Sequence, residues 1–108
     1  MRIDNEDVQN LLMLEKEIES TTEKLIKAEL DLVETEIALD GHAKLMDIDS
    51  RQKETIYLEL RRKTGQANVE SLIDSWKRQK FDVKRLEYQL SQVKGMRDTI
   101  KKVISIIP

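Results

Sequence analysis

Residues 69–107 read VESLIDSWKRQKFDVKRLEYQLSQVKGMRDTIKKVISII, and this stretch decides the fold. Its apolar residues recur at alternating steps of three and four, as they do on the contact face of a coiled-coil helix. Twelve positions form this seam, and only Gln79 and Arg97 among them are polar. We therefore predict one uninterrupted helix. We assign its apolar seam to an interface between copies of the chain: Val69, Leu72, Trp76, Val83, Leu86, Leu90, Val93, Ile100, Ile104 and Ile107.

The composition of the 108 residues is also that of long helices. Charged residues make up 37% and hydrophobic residues 39%, with one proline and three glycines. Such an apolar share is small for a compact domain, so we expect a thin bundle that completes its core by association. The prediction is an all-α fold, with two or three long helices in an antiparallel bundle or coiled coil, oligomeric, forming a single domain over residues 1–108.

The chain before this stretch predicts two further helices. The first begins after Asp4 or Asn5 and carries a seam from Leu11 to Leu39. A second apolar stripe lies nearly opposite that seam and calls for a second neighbouring helix: Ile26, Leu30, Val33 and Ile37. Gly41 leaves open whether the chain turns there or continues as helix.

The caps of the second and third helices have their own signals. Asp49 or Ser50 is expected to cap a second helix that ends at Lys63, with Gly65 in the left-handed conformation behind it. Asn68 is expected to cap the third helix. The short connection predicts that the second and third helices are antiparallel neighbours.

The net charge of −2 hides an asymmetry between an acidic helical half, 5–49, and a basic helical half, 50–107. Residues 1–49 contain 14 acidic and 5 basic side chains, whereas residues 50–108 contain 7 acidic and 14 basic ones. One interpretation is that the halves attract each other, within a chain or between chains. The other is that the basic half binds a polyanion.

Signals for catalysis are missing from the sequence. There is no cysteine, the single histidine is His42, and no phosphate-binding loop, nucleophile motif or zinc-ligand spacing occurs. We expect no enzyme activity, no catalytic residue, no cofactor and no metal site. No apolar run approaches 18 residues, so we expect a cytoplasmic protein that does not act at a membrane.

Nucleic acid is the more specific possibility for a ligand. Aromatic side chains beside cations are suited to stacking on unpaired bases. Two aromatic residues seven positions apart lie among cations: Arg61, Arg62, Lys63, Lys77, Arg78, Lys80, Lys84, Arg85, Phe81 and Tyr88. The alternative interpretation, which we weighted above it, is that Phe81 and Tyr88 pack against the second stripe of the first helix. Trp76 belongs to the seam, and we expect it in the core.

From about residue 50 onward the chain resembles the UvsY-like recombination mediators, small helical proteins of tailed phages. The resemblance rests on a helix ending in YLELRRK at 57–63, a short loop with Gly65, and a long helix with Tyr88 near its middle and MRD at 96–98. It implies a ring-like homo-oligomer in the host cytoplasm that binds single-stranded DNA and a recombinase, with Arg61, Arg62 and Lys63 near the DNA. The alternative is a helical adaptor, scaffold or inhibitor that binds only another protein.

Overall fold

The computed structural model describes residues 5–48 and 52–106, and it places three α-helices there. They are α1 (Asn5–Leu45), α2 (Lys53–Thr64) and α3 (Ala67–Ile106). No β-strand occurs in those two ranges. The all-α prediction is confirmed, and α3 is the single long helix that its apolar period predicts.

The helix ends agree with the sequence in some places and correct it in others. Gly41 lies inside α1, so the chain continues as helix there. The predicted caps Asp4, Asp49 and Ser50 lie outside the described residues, and the residue at the N-cap of α2 is Gln52, which makes no side-chain capping bond.

Gly65 ends α2 with φ +56°, the left-handed conformation that was predicted. Asn68 was wrongly placed as the cap of α3, because the helix begins at Ala67. The Glu70 N–H donates a hydrogen bond to the Gln66 carbonyl oxygen at 3.1 Å, so the first helical turn already includes Asn68.

The chain divides into two compact units, neither of which follows the acidic and basic halves. One unit, called here the three-helix unit, is Ala28–Asp82, and the other, the two-helix unit, combines Met1–Lys27 with Val83–Pro108. Each unit therefore takes a segment of α1 and a segment of α3, so each contains residues from both halves.

The hydrophobic core of the three-helix unit lies where α2 packs between the ends of its two long neighbours. Leu39, Leu60 and Val69 have no exposed surface, and the Tyr57 and Trp76 rings meet edge to face with centroids 4.8 Å apart. Trp76 is therefore a core residue, as predicted. Ile73 is also buried although it lies outside the predicted seam, and its position in this core shows that α3 buries a wider face here than a coiled-coil seam.

In the two-helix unit the segments of α1 and α3 run antiparallel. Arg97 lies across the seam from Glu15, with Nε 3.9 Å from its carboxylate, and Lys101 is 3.5 Å from the same carboxylate. Thr21 of α1 is buried, as are Val83, Leu86 and Val93 of α3. Arg97, one of the two polar positions of the seam, thus pairs with an acidic residue of α1. The acidic and basic halves attract each other within the chain at this point.

The α3 seam is largely covered inside one chain. Five of its residues are buried there: Val69, Trp76, Val83, Leu86 and Val93. Four more are partly buried, namely Leu72, Leu90, Ile100 and Ile104. Ile107 lies outside the described residues. Because α1 and α2 already cover these side chains, little of the seam is left exposed in a single chain. The seam assigned to an interface between copies is thus mainly an intramolecular contact.

The second stripe of α1 remains uncovered. Ile26, Leu30, Val33 and Ile37 are between 49% and 66% exposed. The apolar pattern predicted a second neighbour for this face, and the chain does not supply one among its described residues. The α1 stripe, defined as these four residues, is a large exposed apolar feature of a helix that carries many charges.

Candidate nucleic-acid interface

Phe81 and Tyr88 project from the side of α3 that faces away from the seam. Phe81 is 69% exposed and Tyr88 is 67% exposed. The interpretation that they pack against the α1 stripe is therefore wrong within one chain, because both partners of that supposed contact are solvent-exposed. The two residues are seven positions apart, which corresponds to about 10 Å along a helix axis.

Cations flank both aromatic residues in a repeated arrangement. Lys77 precedes Phe81 by four residues, and Lys84 precedes Tyr88 by four, so each lysine lies one helical turn from a ring on the same face. Both lysines are exposed, and neither forms an ion pair within 5–48 and 52–106. A cation and an aromatic ring therefore occur together in two successive heptads.

Two arginines flank the aromatic residues on the opposite side. Arg78 and Arg85 are exposed, and Arg78 donates a hydrogen bond to the Ser75 hydroxyl oxygen at 3.4 Å. Helical geometry alone relates these positions, since all lie on one continuous helix. We define the aromatic–basic face by these six residues: Lys77, Arg78, Phe81, Lys84, Arg85 and Tyr88.

Lys80 does not belong to this face, although the sequence grouped it there. Its Nζ lies 4.4 Å from the centroid of the Trp76 ring and 3.2 Å from the Glu54 carboxylate. The antiparallel packing of α2 on α3 brings Glu54 beside it. Lys80 thus contributes a cation–π contact and an ion pair to the three-helix unit.

Arg61 is likewise engaged inside the chain. Its guanidinium lies 2.9 Å from the Asp74 carboxylate and 3.8 Å from that of Glu70, both on α3. Arg62 and Lys63 are exposed in the last turn of α2, where cations interact favourably with the helix dipole. Of the three basic residues that the resemblance places near DNA, Arg62 and Lys63 form no such ion pair within 5–48 and 52–106.

A cluster of polar groups that no sequence pattern predicts ties α1 to α2. The Tyr57 hydroxyl donates to Oδ1 of Asp40 at 2.7 Å, and Lys53 Nζ donates to Oδ2 of the same carboxylate at 3.0 Å. Lys53 also pairs with Glu36 at 3.0 Å. The partners are 13 to 17 residues apart across the connection between helices, so no local motif announces them.

The same contacts shift two pKa values. Burial, with the Asp40 carboxylate second, raises the pKa of Tyr57 well above that of a solvated phenol. For Lys53, burial would lower the pKa, but the hydrogen bonds and charges of Asp40 and Glu36 outweigh it and raise the pKa. Both groups are held in their protonated forms, which suits a structural tie and not proton transfer near neutral pH.

The described residues also bear on metal sites and membrane-spanning segments. No group of three or more acidic, histidine or cysteine side chains in the two described ranges is arranged to hold a metal ion. His42 is half-buried in the last turn of α1. Within those ranges, no helix combines the length and apolar character needed to cross a membrane.

Comparisons of the chain with protein-family models, curated proteins and solved structures find no match. The exposed faces of α1 and α3 are therefore the features from which a function can be inferred.

Proposed function

We propose that this protein is a non-enzymatic helical protein that binds single-stranded DNA through the aromatic–basic face of α3. Its specific role would be that of a phage-type recombination mediator, which binds a recombinase as well and acts in the host cytoplasm. The observation that carries the proposal is the exposure of Phe81 and Tyr88 between cations. Both rings are free to meet a ligand, and exposed aromatic rings beside cations are the arrangement on which unpaired bases stack.

The face offers the two interactions that single-strand binding needs. Stacking of a base on an aromatic side chain contributes about 1–3 kcal/mol and tolerates any base. Lysine and arginine beside the rings would neutralise phosphates and release counterions. Because the two rings are about 10 Å apart along α3, each would stack a separate nucleotide of a bound strand.

A protein-binding adaptor is the second candidate, and the α1 stripe favours it. An exposed row of aliphatic side chains on one helix face is the usual anchor for a partner helix. This surface contains no cation–aromatic arrangement, so its partner would be another protein.

A direct test measures the affinity of the full chain for a fluorescent oligo(dT) by anisotropy at low salt. The variant Phe81→Ala/Tyr88→Ala should bind at least about 30-fold more weakly, since two lost stacking contacts of about 1 kcal/mol each multiply. The matched control is Leu58→Ala/Met96→Ala, which removes two other exposed apolar side chains.

Circular dichroism should show unchanged helicity in both variants, because all four side chains are exposed. The proposal is rejected if the wild-type protein does not bind oligo(dT) at low salt, or if Phe81→Ala/Tyr88→Ala binds it as tightly as the wild type and the control do. If an Ile37→Ser variant keeps its DNA binding but loses recombinase loading, the recombinase binds the α1 stripe.

A further inference from the structure

The α1 stripe has an acidic residue on each side, and Lys27, one heptad before Glu34, lies on the same side as Glu34. Leu30, Val33 and Ile37 repeat at steps of three and four, which is the spacing of a packing face. Glu29 lies beside this row on one side and Glu34 on the other. Both are exposed, and neither forms an ion pair in the part of the chain that the structure describes. An apolar row with unpaired carboxylates at its edges selects a partner with the opposite charge.

The aromatic–basic face of α3 has the complementary pattern. Phe81 and Tyr88 form its apolar row, and Lys77 and Lys84 lie along one edge without an ion pair among the described residues. The exposed apolar side chains Leu30 and Ile37 are seven residues apart, as are Phe81 and Tyr88. The two faces therefore agree in repeat length and are opposite in charge.

We propose that a second copy of this chain packs its α1 stripe against the aromatic–basic face of α3. Pairing of two α1 stripes would place glutamates against glutamates, and pairing of two α3 faces would place lysines against lysines. Like charges facing each other across an interface oppose association. Only the α1–α3 pairing combines apolar contact with charge attraction.

This contact is head-to-tail, because the two copies contribute different surfaces. In a pair, one copy keeps an unused α3 face and the other keeps an unused α1 stripe, so further copies add until a ring closes or an open chain forms. The contact goes beyond the proposed function and does not require DNA. It does place a second copy on the side chains that would stack bases.

A charge exchange tests the pairing by sedimentation equilibrium of the full chain. Glu29→Lys/Glu34→Lys and Lys77→Glu/Lys84→Glu should each weaken self-association at least about tenfold, since each places like charges together. The chain with all four substitutions keeps the net charge of the wild type and restores opposite charges. Its association should return to within about threefold of the wild-type value.

The matched control is Lys16→Glu/Lys94→Glu, which changes the net charge by the same amount as the α3 variant. Both lysines are exposed, and neither belongs to either face. Association in this control should stay within about twofold of wild type. A monomeric wild-type protein, equal weakening in the control, or no recovery in the fourfold variant overturns the proposal.

Oligo(dT) binding is measured separately in the same five proteins. If the wild-type protein does not bind oligo(dT), the proposed function is refuted, and the charge-exchange result alone decides whether the copies pair as proposed. Conversely, DNA binding with no recovery of association in the fourfold variant refutes the pairing alone. The two failures are therefore distinguishable.

Discussion

Tyr57→Phe isolates the hydrogen bond that ties α2 to α1. The Tyr57 ring is 1% exposed and packs against Trp76, and phenylalanine keeps that packing while it removes the hydroxyl that donates to Asp40 at 2.7 Å. Hydrogen bonds to charged acceptors contribute about 1.5–3 kcal/mol. Asp40 is about half exposed and keeps Lys53, so we expect a loss of about 1–1.5 kcal/mol in the free energy of unfolding.

The raised pKa of Tyr57 determines how this loss in the free energy of unfolding changes with pH. Because the pKa of Tyr57 is raised in the folded state, the unfolded chain releases this proton first as pH rises. The stabilisation is thus fully present below about pH 10 and is lost as pH rises above it. The difference in unfolding free energy between wild type and Tyr57→Phe should shrink above about pH 10.

Urea unfolding followed by Trp76 fluorescence measures that difference at neutral and alkaline pH. The control is Tyr88→Phe, since the Tyr88 hydroxyl is exposed and accepts a hydrogen bond only from Gln92 among the described residues. It should change stability by less than about 0.5 kcal/mol at pH 7. Equal stability of Tyr57→Phe and wild type at pH 7, or a difference that does not vary with pH, would refute the reasoning.

Three further predictions concern the core, the glycines and the ligand. Leu60→Ala should lower the free energy of unfolding by about 2–5 kcal/mol, because the side chain has no exposed surface; a shift below 1 kcal/mol in urea melts would show that it is not core. Gly41→Ala should raise the free energy of unfolding by about 1 kcal/mol, since Gly41 is inside a helix and a Cβ there would meet no atom within 4 Å. Gly65→Ala should lower it by a similar amount, because alanine disfavours φ +56°. Thermal melts in which both substitutions change the stability in the same direction would contradict this. Excess oligo(dT) should shift self-associated protein towards smaller species in sedimentation velocity, because DNA and a second copy use the same α3 face; unchanged or larger protein assemblies would argue against that overlap.

The long helices could be predicted because their signals are local. The three-and-four spacing over Val69–Val93 needs only helical geometry to be interpreted, and Gly65 needs only the left-handed cap that glycine favours. Trp76 was identified as core for the same reason. The outcome at Gly41 was open because a single glycine costs a helix little compared with the packing of a long seam.

The errors arise where tertiary contacts decide the outcome. The period of α3 does not show that its seam meets α1 and α2 of the same chain, because intramolecular and intermolecular helix packing have the same pattern. Ile73 and the Tyr57–Asp40 bond depend on where α2 packs, which no local motif specifies. Phe81 and Tyr88 had two interpretations, packing on the second stripe of α1, which needs a partner, or stacking on bases, and their exposure is what makes their face a candidate site.

The central claim is that the α3 face binds single strands through phosphates and bases, and the salt dependence of oligo(dT) affinity tests it most directly. Each neutralised phosphate contributes about −0.7 to the slope of log affinity against log salt. Replacing Lys77 and Lys84 by alanine should therefore make the slope less steep by about 1.4 units, with unchanged helicity. A wild-type protein that binds no oligonucleotide at low salt, or a slope that the two substitutions leave unchanged, would contradict the account.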